Sequence, residues 1–205
     1  MDLPIGRTAA QRICAWIKGT WREPIEAALQ GTPFDIDLAC AIACKETGVH
    51  VFQFLGSLSD DDILARCVFD ASGDAAGTSR SAFPRNTAAF RSRYGDAFTE
   101  MLIEEANRTR LIRGLDAASW VYKGYGLFQY DLQHVVEDEA FFRGRRWYDF
   151  DACLDKLVSE LQRKYDDAHG DLRDAVRRYN GSGPKAELYA THVMQYLEFS
   201  QAVEA

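Results

Sequence analysis

Seven consecutive residues, Leu38-Ala39-Cys40-Ala41-Ile42-Ala43-Cys44, carry no charged or amide side chain, and they constrain the fold more than any other segment. A surface helix keeps a polar face, whereas a helix that is apolar all round is buried on every side. Asp35 or Asp37 can cap its start, and it runs into Lys45-Glu46-Thr47-Gly48, where Gly48 is a natural terminator. The rest of the chain must therefore wrap around this rod.

Most of the remaining chain also reads as helix, with no convincing run of alternating strands, so the expected class is all-α. Thr8 to Trp21 places Ile13, Trp16 and Ile17 on one face, and Pro24 suits the first turn of a short helix ending near Gly31. Ser59 followed by Asp60, Asp61 and Asp62 opens a short helix through Cys67. Asp70 to Asn86, with Gly73, Gly77 and Pro84, reads as a loop. Asn86 then caps a long helical stretch on which Phe90, Tyr94 and Phe98 recur, running through Met101 and Leu102 towards Arg113 and stopped by Gly114.

Two glycines and three aromatics break the helical pattern over Gly124 to Asp131. Asp149 or Asp151 restarts helix, with Cys153, Leu154, Leu157, Leu161 and Tyr165 on one stripe. Leu172 to Tyr179 gives a short helix closed by Asn180-Gly181-Ser182-Gly183, and Pro184 opens the last one, carrying Leu188, Tyr189, Val193, Tyr196 and Leu197.

Composition removes several functional classes. A net charge of −7 over 205 residues argues against a nucleic-acid partner, which needs a basic patch. The short run Arg143, Arg145, Arg146 sits among acids and reads as an exposed helical face or loop. Five cysteines, Cys14, Cys40, Cys44, Cys67 and Cys153, do not form a disulfide framework. Cys40 and Cys44 share a helix face, but without a CxxC or HExxH companion they read as buried thiols. His50, His134, His169 and His192 have no metal-binding spacing. Gly124-Tyr125-Gly126 does not continue as a dinucleotide fingerprint, since Gln129 stands where the third glycine would be. Neither a metal nor a cofactor is expected. No stretch approaches the roughly 18 apolar residues of a membrane span, and Met1 to Ala10 shows no Sec-type signal. The expectation is cytoplasmic synthesis. A cell-wall substrate would then require non-Sec export, or a longer product of which this is one domain.

Glu46 is the sharpest candidate for chemistry. A carboxyl at the C-terminal end of an apolar helix meets the negative end of the helix dipole and loses solvation. Both effects raise its pKa and favour a protonated acid near neutrality, as glycosidic oxygen protonation requires. The plain alternative is a solvated Glu at a helix end, paired with Lys45.

Three segments, in order, decide how Glu46 is read. Lys45-Glu46-Thr47-Gly48, Gly124-Tyr125-Gly126-Leu127-Phe128-Gln129-Tyr130-Asp131 and Arg178-Tyr179-Asn180-Gly181-Ser182-Gly183 resemble three motifs of the lytic transglycosylase and goose-type lysozyme superfamily. In that family a helix ends in Glu-Ser, a Gly-Leu-Met-Gln-like turn follows, and a Tyr-Asn-Ala-Gly-like segment precedes a final helix. The tail Pro184 to Val193, with Tyr189 and Val193, continues the resemblance. It implies a lysozyme-like fold, a single domain over 1–205 with a large helical insertion at about 49–123, and no cofactor. It also implies a peptidoglycan-cleaving activity, either muramidase (a hydrolase) or lytic transglycosylase, on β-1,4 bonds between amino sugars.

The resemblance carries roles residue by residue. Glu46 matches the catalytic acid. Thr47, Gly126, Phe128, Gln129 and Tyr130 match the positions lining the sugar cleft, and Tyr179 and Asn180 match the pair near the catalytic carboxyl. Asp131 falls where goose-type enzymes place an aspartate that helps position water. For residues other than Glu46, ordinary turn chemistry is the alternative.

Thr47 replaces the usual Ser and Phe128 the usual Met, and the stretch between Glu46 and Gly124 is longer than a connection needs. Segments 70–74 and 80–86 within it could face a glycan, a surface loop being the default. An inverting hydrolase needs a base roughly 6.5–9.5 Å from its acid. Asp131, Asp70 and Asp74 are the candidates, in that order. A lytic transglycosylase needs none. A non-catalytic helical module that binds glycan or protein on the same scaffold is the competing class.

Overall fold

The computed structural model describes residues 2–204. In chain order the elements are α1 (Arg7–Leu29), α2 (Ile36–Glu46), α3 (Gly48–Phe54), α4 (Asp60–Arg66), β1 (Val68–Phe69), α5 (Thr87–Tyr94), α6 (Asp96–Ile112), β2 (Gly124–Tyr125), β3 (Tyr130–Asp131), α7 (Glu139–Arg143), α8 (Phe150–Asp167), α9 (Leu172–Asn180) and α10 (Pro184–Gln201). Two 3-10 turns, Leu132–Val136 and Arg146–Tyr148, flank α7. The chain is mainly helical and divides into two compact units. One holds the residues up to Ser57 together with those from Leu154 onward, and the other is Leu58–Cys153.

In the first unit α2 is the buried rod. Asp35 caps it by accepting from the Leu38 N–H at 2.8 Å, and every side chain from Leu38 to Cys44 is buried. It packs against α1, α3 and α10. Ile13, Ile17, Ile25, Leu38 and Ile42 are fully buried, each contributing about 1.5–3 kcal/mol relative to exposure. α1 kinks at Trp21 (φ −128°, ψ 24°) three residues before Pro24. The proline ring cannot donate and crowds the carbonyl four residues back, so the helix bends there. Lys18, although buried, is fully satisfied: its ammonium donates to the carbonyls of Ser200 and Val203 and pairs with Asp37 at 2.7 Å. It thereby ties the C-terminal end of α10 to α1 and α2, a cation where the helix dipole favours one.

Gly48 does not end α2. The helix stops at Glu46 through Thr47 (φ −125°, ψ −3°), and α3 begins at Gly48 itself. The glycine is needed for packing, because a Cβ there would lie 2.7 Å from Ile5 Cδ1. The thiols of Cys14, Cys40 and Cys44 are all buried, with Cys14 and Cys44 sulfurs 3.7 Å apart.

The second unit contains three two-residue antiparallel strands that the sequence pattern did not reveal, in the order β1-β2-β3. Val68 faces Tyr125 and Phe69 faces Gly124, while Gly124 faces Asp131 and Tyr125 faces Tyr130. Strands this short show no alternation. The expected long helix from Asn86 is broken at Gly95 (φ 79°), which ends α5 and opens α6. The four-residue aromatic repeat still works across the break: Phe90, Tyr94 and Phe98 rings cluster at 4.9–5.9 Å.

A buried carboxylate organises this unit. Glu105, fully buried, accepts from Arg66 at 2.9 Å, Arg145 at 2.9 Å and Tyr148 at 2.5 Å. The basic run is thus only partly a solvent face. Arg145 turns inward to Glu105, while Arg143 and Arg146 pair with Glu139 and Asp149.

Candidate active site

Glu46 is the last residue of α2, half-buried, two residues beyond the apolar run. Tyr189, on the buried face of α10, donates its hydroxyl to Glu46 Oε1 at 2.6 Å. The other oxygen, Oε2, receives no hydrogen bond from the described residues. Burial pushes the Glu46 carboxyl up to about 7, against the opposing pull of the Tyr189 hydrogen bond and the Lys45 charge, with Glu160 adding a smaller upward push. Desolvation disfavours the carboxylate more than these partners favour it. The Lys45 ammonium lies over the Tyr189 ring at 5.2 Å, and the Tyr179 ring lies 6.4 Å from that of Tyr189. Burial and the adjacent carboxyl also push the Tyr189 hydroxyl well above its usual value, so it remains a donor.

Thr47 is buried, and its hydroxyl donates to the Ala43 carbonyl at 3.2 Å. Its role is to close α2: its N–H also reaches Ala43, and its own carbonyl accepts from His50 and Val51 at the start of α3. Asn180 is exposed at the end of α9. The first unit therefore brings Glu46, Tyr189, Tyr179 and Lys45 together.

In the second unit, the segment Gly124 to Asp131 is the β2-β3 hairpin. Gly126 (φ 79°) donates its N–H to the Cys67 carbonyl at 2.8 Å, and a Cβ there would meet Cys153 Sγ at 2.4 Å. Gln129 (φ 53°) folds back, its amide donating to the carbonyls of Gly126 at 2.8 Å and Cys67 at 3.2 Å. Phe128 is buried with its ring 6.1 Å from that of Phe150. Tyr130 stacks on His134 at 4.6 Å. These contacts are turn chemistry and packing, and they fix the shape of the hairpin.

Comparison with family models, with curated proteins and with solved structures finds no match.

The three carboxylates considered as a second group are all engaged by protein. Asp131 Oδ1 accepts from the Gln133 N–H at 2.7 Å and is paired with Arg80. Asp74 accepts from the Thr87 N–H and hydroxyl and pairs with the fully buried Lys123. It anchors the start of α5 and the ammonium of Lys123. Asp70 (φ 70°) closes its own turn by accepting from Ser72 N–H and hydroxyl, both at 2.9 Å. Arg80, in a segment read as a surface loop, is only 10% exposed because it reaches Asp131.

Tyr189 stands against Glu46, whereas the sequence placed it on the stripe of the last helix and in the tail that continues the resemblance, with no contact to Glu46 assigned. A tyrosine on a buried helix face requires a partner for its hydroxyl, and that requirement was the available signal. Among the described residues no three His, Cys, Asp or Glu side chains are set to hold a metal ion, and no helix is long and apolar enough to cross a membrane.

Proposed function

We propose that this chain cleaves a peptidoglycan-type glycan at β-1,4 bonds between amino sugars, with Glu46 as the general acid and base. The observation that carries the reading is a helix-end carboxyl whose proton is held up to about 7 and whose position is fixed by Tyr189 at 2.6 Å. Such a group is protonated at mildly acidic to neutral pH and can deliver that proton to a glycosidic oxygen through Oε2. The order of the three sequence segments supports the same reading. So does a tyrosine beside the carboxyl, with Tyr179 next to it.

Of the two chemical routes, the one without a second carboxylate fits better. Asp74 and Asp70 have both oxygens engaged, and Asp131 is tied to Arg80. In the lytic transglycosylase route Glu46 first protonates the leaving oxygen. It then, as carboxylate, takes the proton from the sugar's own hydroxyl as that oxygen closes the anhydro ring.

The test is digestion of purified peptidoglycan followed by mass analysis of the products, with the wild-type chain and Glu46→Gln side by side. Anhydro ends from the wild type, absent with a folded Glu46→Gln protein, are the expected result. Reducing ends would replace the transglycosylase route with hydrolysis. A fully active Glu46→Gln protein, or no release by the wild type, overturns the proposal, the latter in favour of a non-catalytic binding module.

A further inference from the structure

A second site lies at the start of α1, built wholly from residues of the first unit. A pocket of about 290 Å³ is lined by Leu3, Arg7, Thr191, His192, Gln195 and Phe199. We propose that this pocket binds a small oxyanion, a phosphoryl or carboxylate group on a compact ligand, between Arg7 and His192.

Three independent observations converge on that chemistry. First, α1 is a helix of 23 residues whose N-cap, Gly6, has no side chain to cap it, and whose first turn holds no acidic residue. The free amides and the positive end of the dipole are left uncompensated there. Second, the first residue of that helix is Arg7, a cation placed where the dipole disfavours one. Its guanidinium lies 4.6 Å over the Phe199 ring, and no carboxylate among the described residues pairs with it. Third, His192 is only 5% exposed, yet neither ring nitrogen has a hydrogen-bond partner. An unpartnered imidazole buried this deeply costs free energy unless something else meets it.

An anion answers all three at once. It would lie near the positive end of the α1 dipole, pair with Arg7 and accept from His192. Burial and then the neighbouring Lys45 charge hold His192 below its usual pKa, and an arriving anion acts against the Lys45 contribution. The other polar lining groups are already engaged. The Thr191 hydroxyl donates to the Glu187 carbonyl, and the Gln195 amide donates to Glu198. Phe199 and Leu3 provide apolar walls that favour a compact ligand over bulk water.

The test titrates the full chain with inorganic phosphate and, in a separate arm, with acetate, at constant ionic strength. Heat and the ¹⁵N shifts of the His192 imidazole are followed. Expected is one-site binding with Kd of about 1 mM or tighter, a change in the His192 shifts, and an affinity loss of about tenfold or more in both Arg7→Gln and His192→Phe. Arg22→Gln, on the far part of the same helix, keeps wild-type affinity. Saturation by phosphate alone assigns a phosphoryl ligand, by acetate alone a carboxylate, and by both a general oxyanion pocket. Thermal unfolding of the wild type must also rise with the bound anion, a readout that requires no variant to fold. Absence of saturation with either anion, or affinities unchanged in both variants, overturns the proposal.

Discussion

Tyr189 donates a hydroxyl hydrogen bond to Glu46 Oε1 at 2.6 Å, joining the buried face of α10 to the end of the apolar helix α2. The two residues are far apart in sequence, and their contact follows from α2 packing directly on α10. The bond opposes desolvation: it favours the carboxylate, whereas burial favours the acid, and burial prevails to leave the carboxyl at about 7. A residue that is both held in place and kept protonated is what an acid catalyst requires.

Replacing Tyr189 by Phe removes the bond but keeps the ring. The Glu46 pKa should move further upward, because the lost partner had favoured its charged form. Stability should fall by about 0.5–1.5 kcal/mol, as for a typical intramolecular hydrogen bond. Carbon-13 titration of the Glu46 carboxyl reads the first effect, and urea denaturation the second. A Glu46 pKa that drops in Tyr189→Phe would contradict the geometry.

The raised carboxyl also shapes the pH dependence of stability. Its folded value of about 7 lies above the ordinary 4.5, so between these values the folded chain holds a proton that the unfolded chain has released. Stability from this group is fully present below pH 4.5, declines as pH rises through that window, and is lost above about 7. The decline is on the order of 3 kcal/mol. Glu46→Gln should lack it, becoming progressively more stable than the wild type from pH 4.5 to 7. Parallel stability profiles of the two proteins over that range would refute this.

Glu105 behaves in the opposite sense. Burial alone would raise its pKa, but hydrogen bonds from Tyr148, Arg145 and Arg66 outweigh that and hold it below the usual value. Its contribution is present above the unfolded pKa and is lost as pH falls through the folded one. Glu105→Gln leaves the buried Arg66 facing a neutral amide and should destabilise by about 3–5 kcal/mol. Chemical denaturation at pH 7 measures this, and a loss within error of zero would show that the hub is dispensable.

What the sequence made legible was whatever rests on local chemistry. The all-apolar run from Leu38 to Cys44 announced a buried helix, and Asp35, Ser59 and Asn86 announced its cap and those of α4 and α5. Glu46 stood out because it ends the helix that this run builds. Tyr189 did not, because its partner lies on another helix and no local pattern encodes the meeting. Lys123 shows the same limit. No local pattern announces that its ammonium is fully buried against Asp74 from a distant loop. The strands were hidden because two residues give no period, and the break at Gly95 because the aromatic repeat continues on both sides of it.

Gly126 and Gly19 should respond in opposite ways to an added methyl group. Gly126 has φ 79° and backs onto Cys153, whose sulfur would lie 2.4 Å from an added Cβ. Gly126→Ala therefore combines a left-handed backbone penalty of about 1–2 kcal/mol with a clash against a sulfur that is itself fixed, its thiol directed to the Trp147 carbonyl at 3.5 Å. Gly19 sits in the exposed interior of α1, with nothing within 4 Å of the same hypothetical Cβ. There, alanine only reduces the freedom of the unfolded chain, so Gly19→Ala should stabilise by about 0.5–1 kcal/mol. Melting both variants beside the wild type checks the pair. Opposite signs are expected, with Gly126→Ala also displacing the hairpin that carries Gln129, since the Gly126 carbonyl accepts the Gln129 amide. A tolerated alanine at 126 would mean that the hairpin is not held against Cys153 as described.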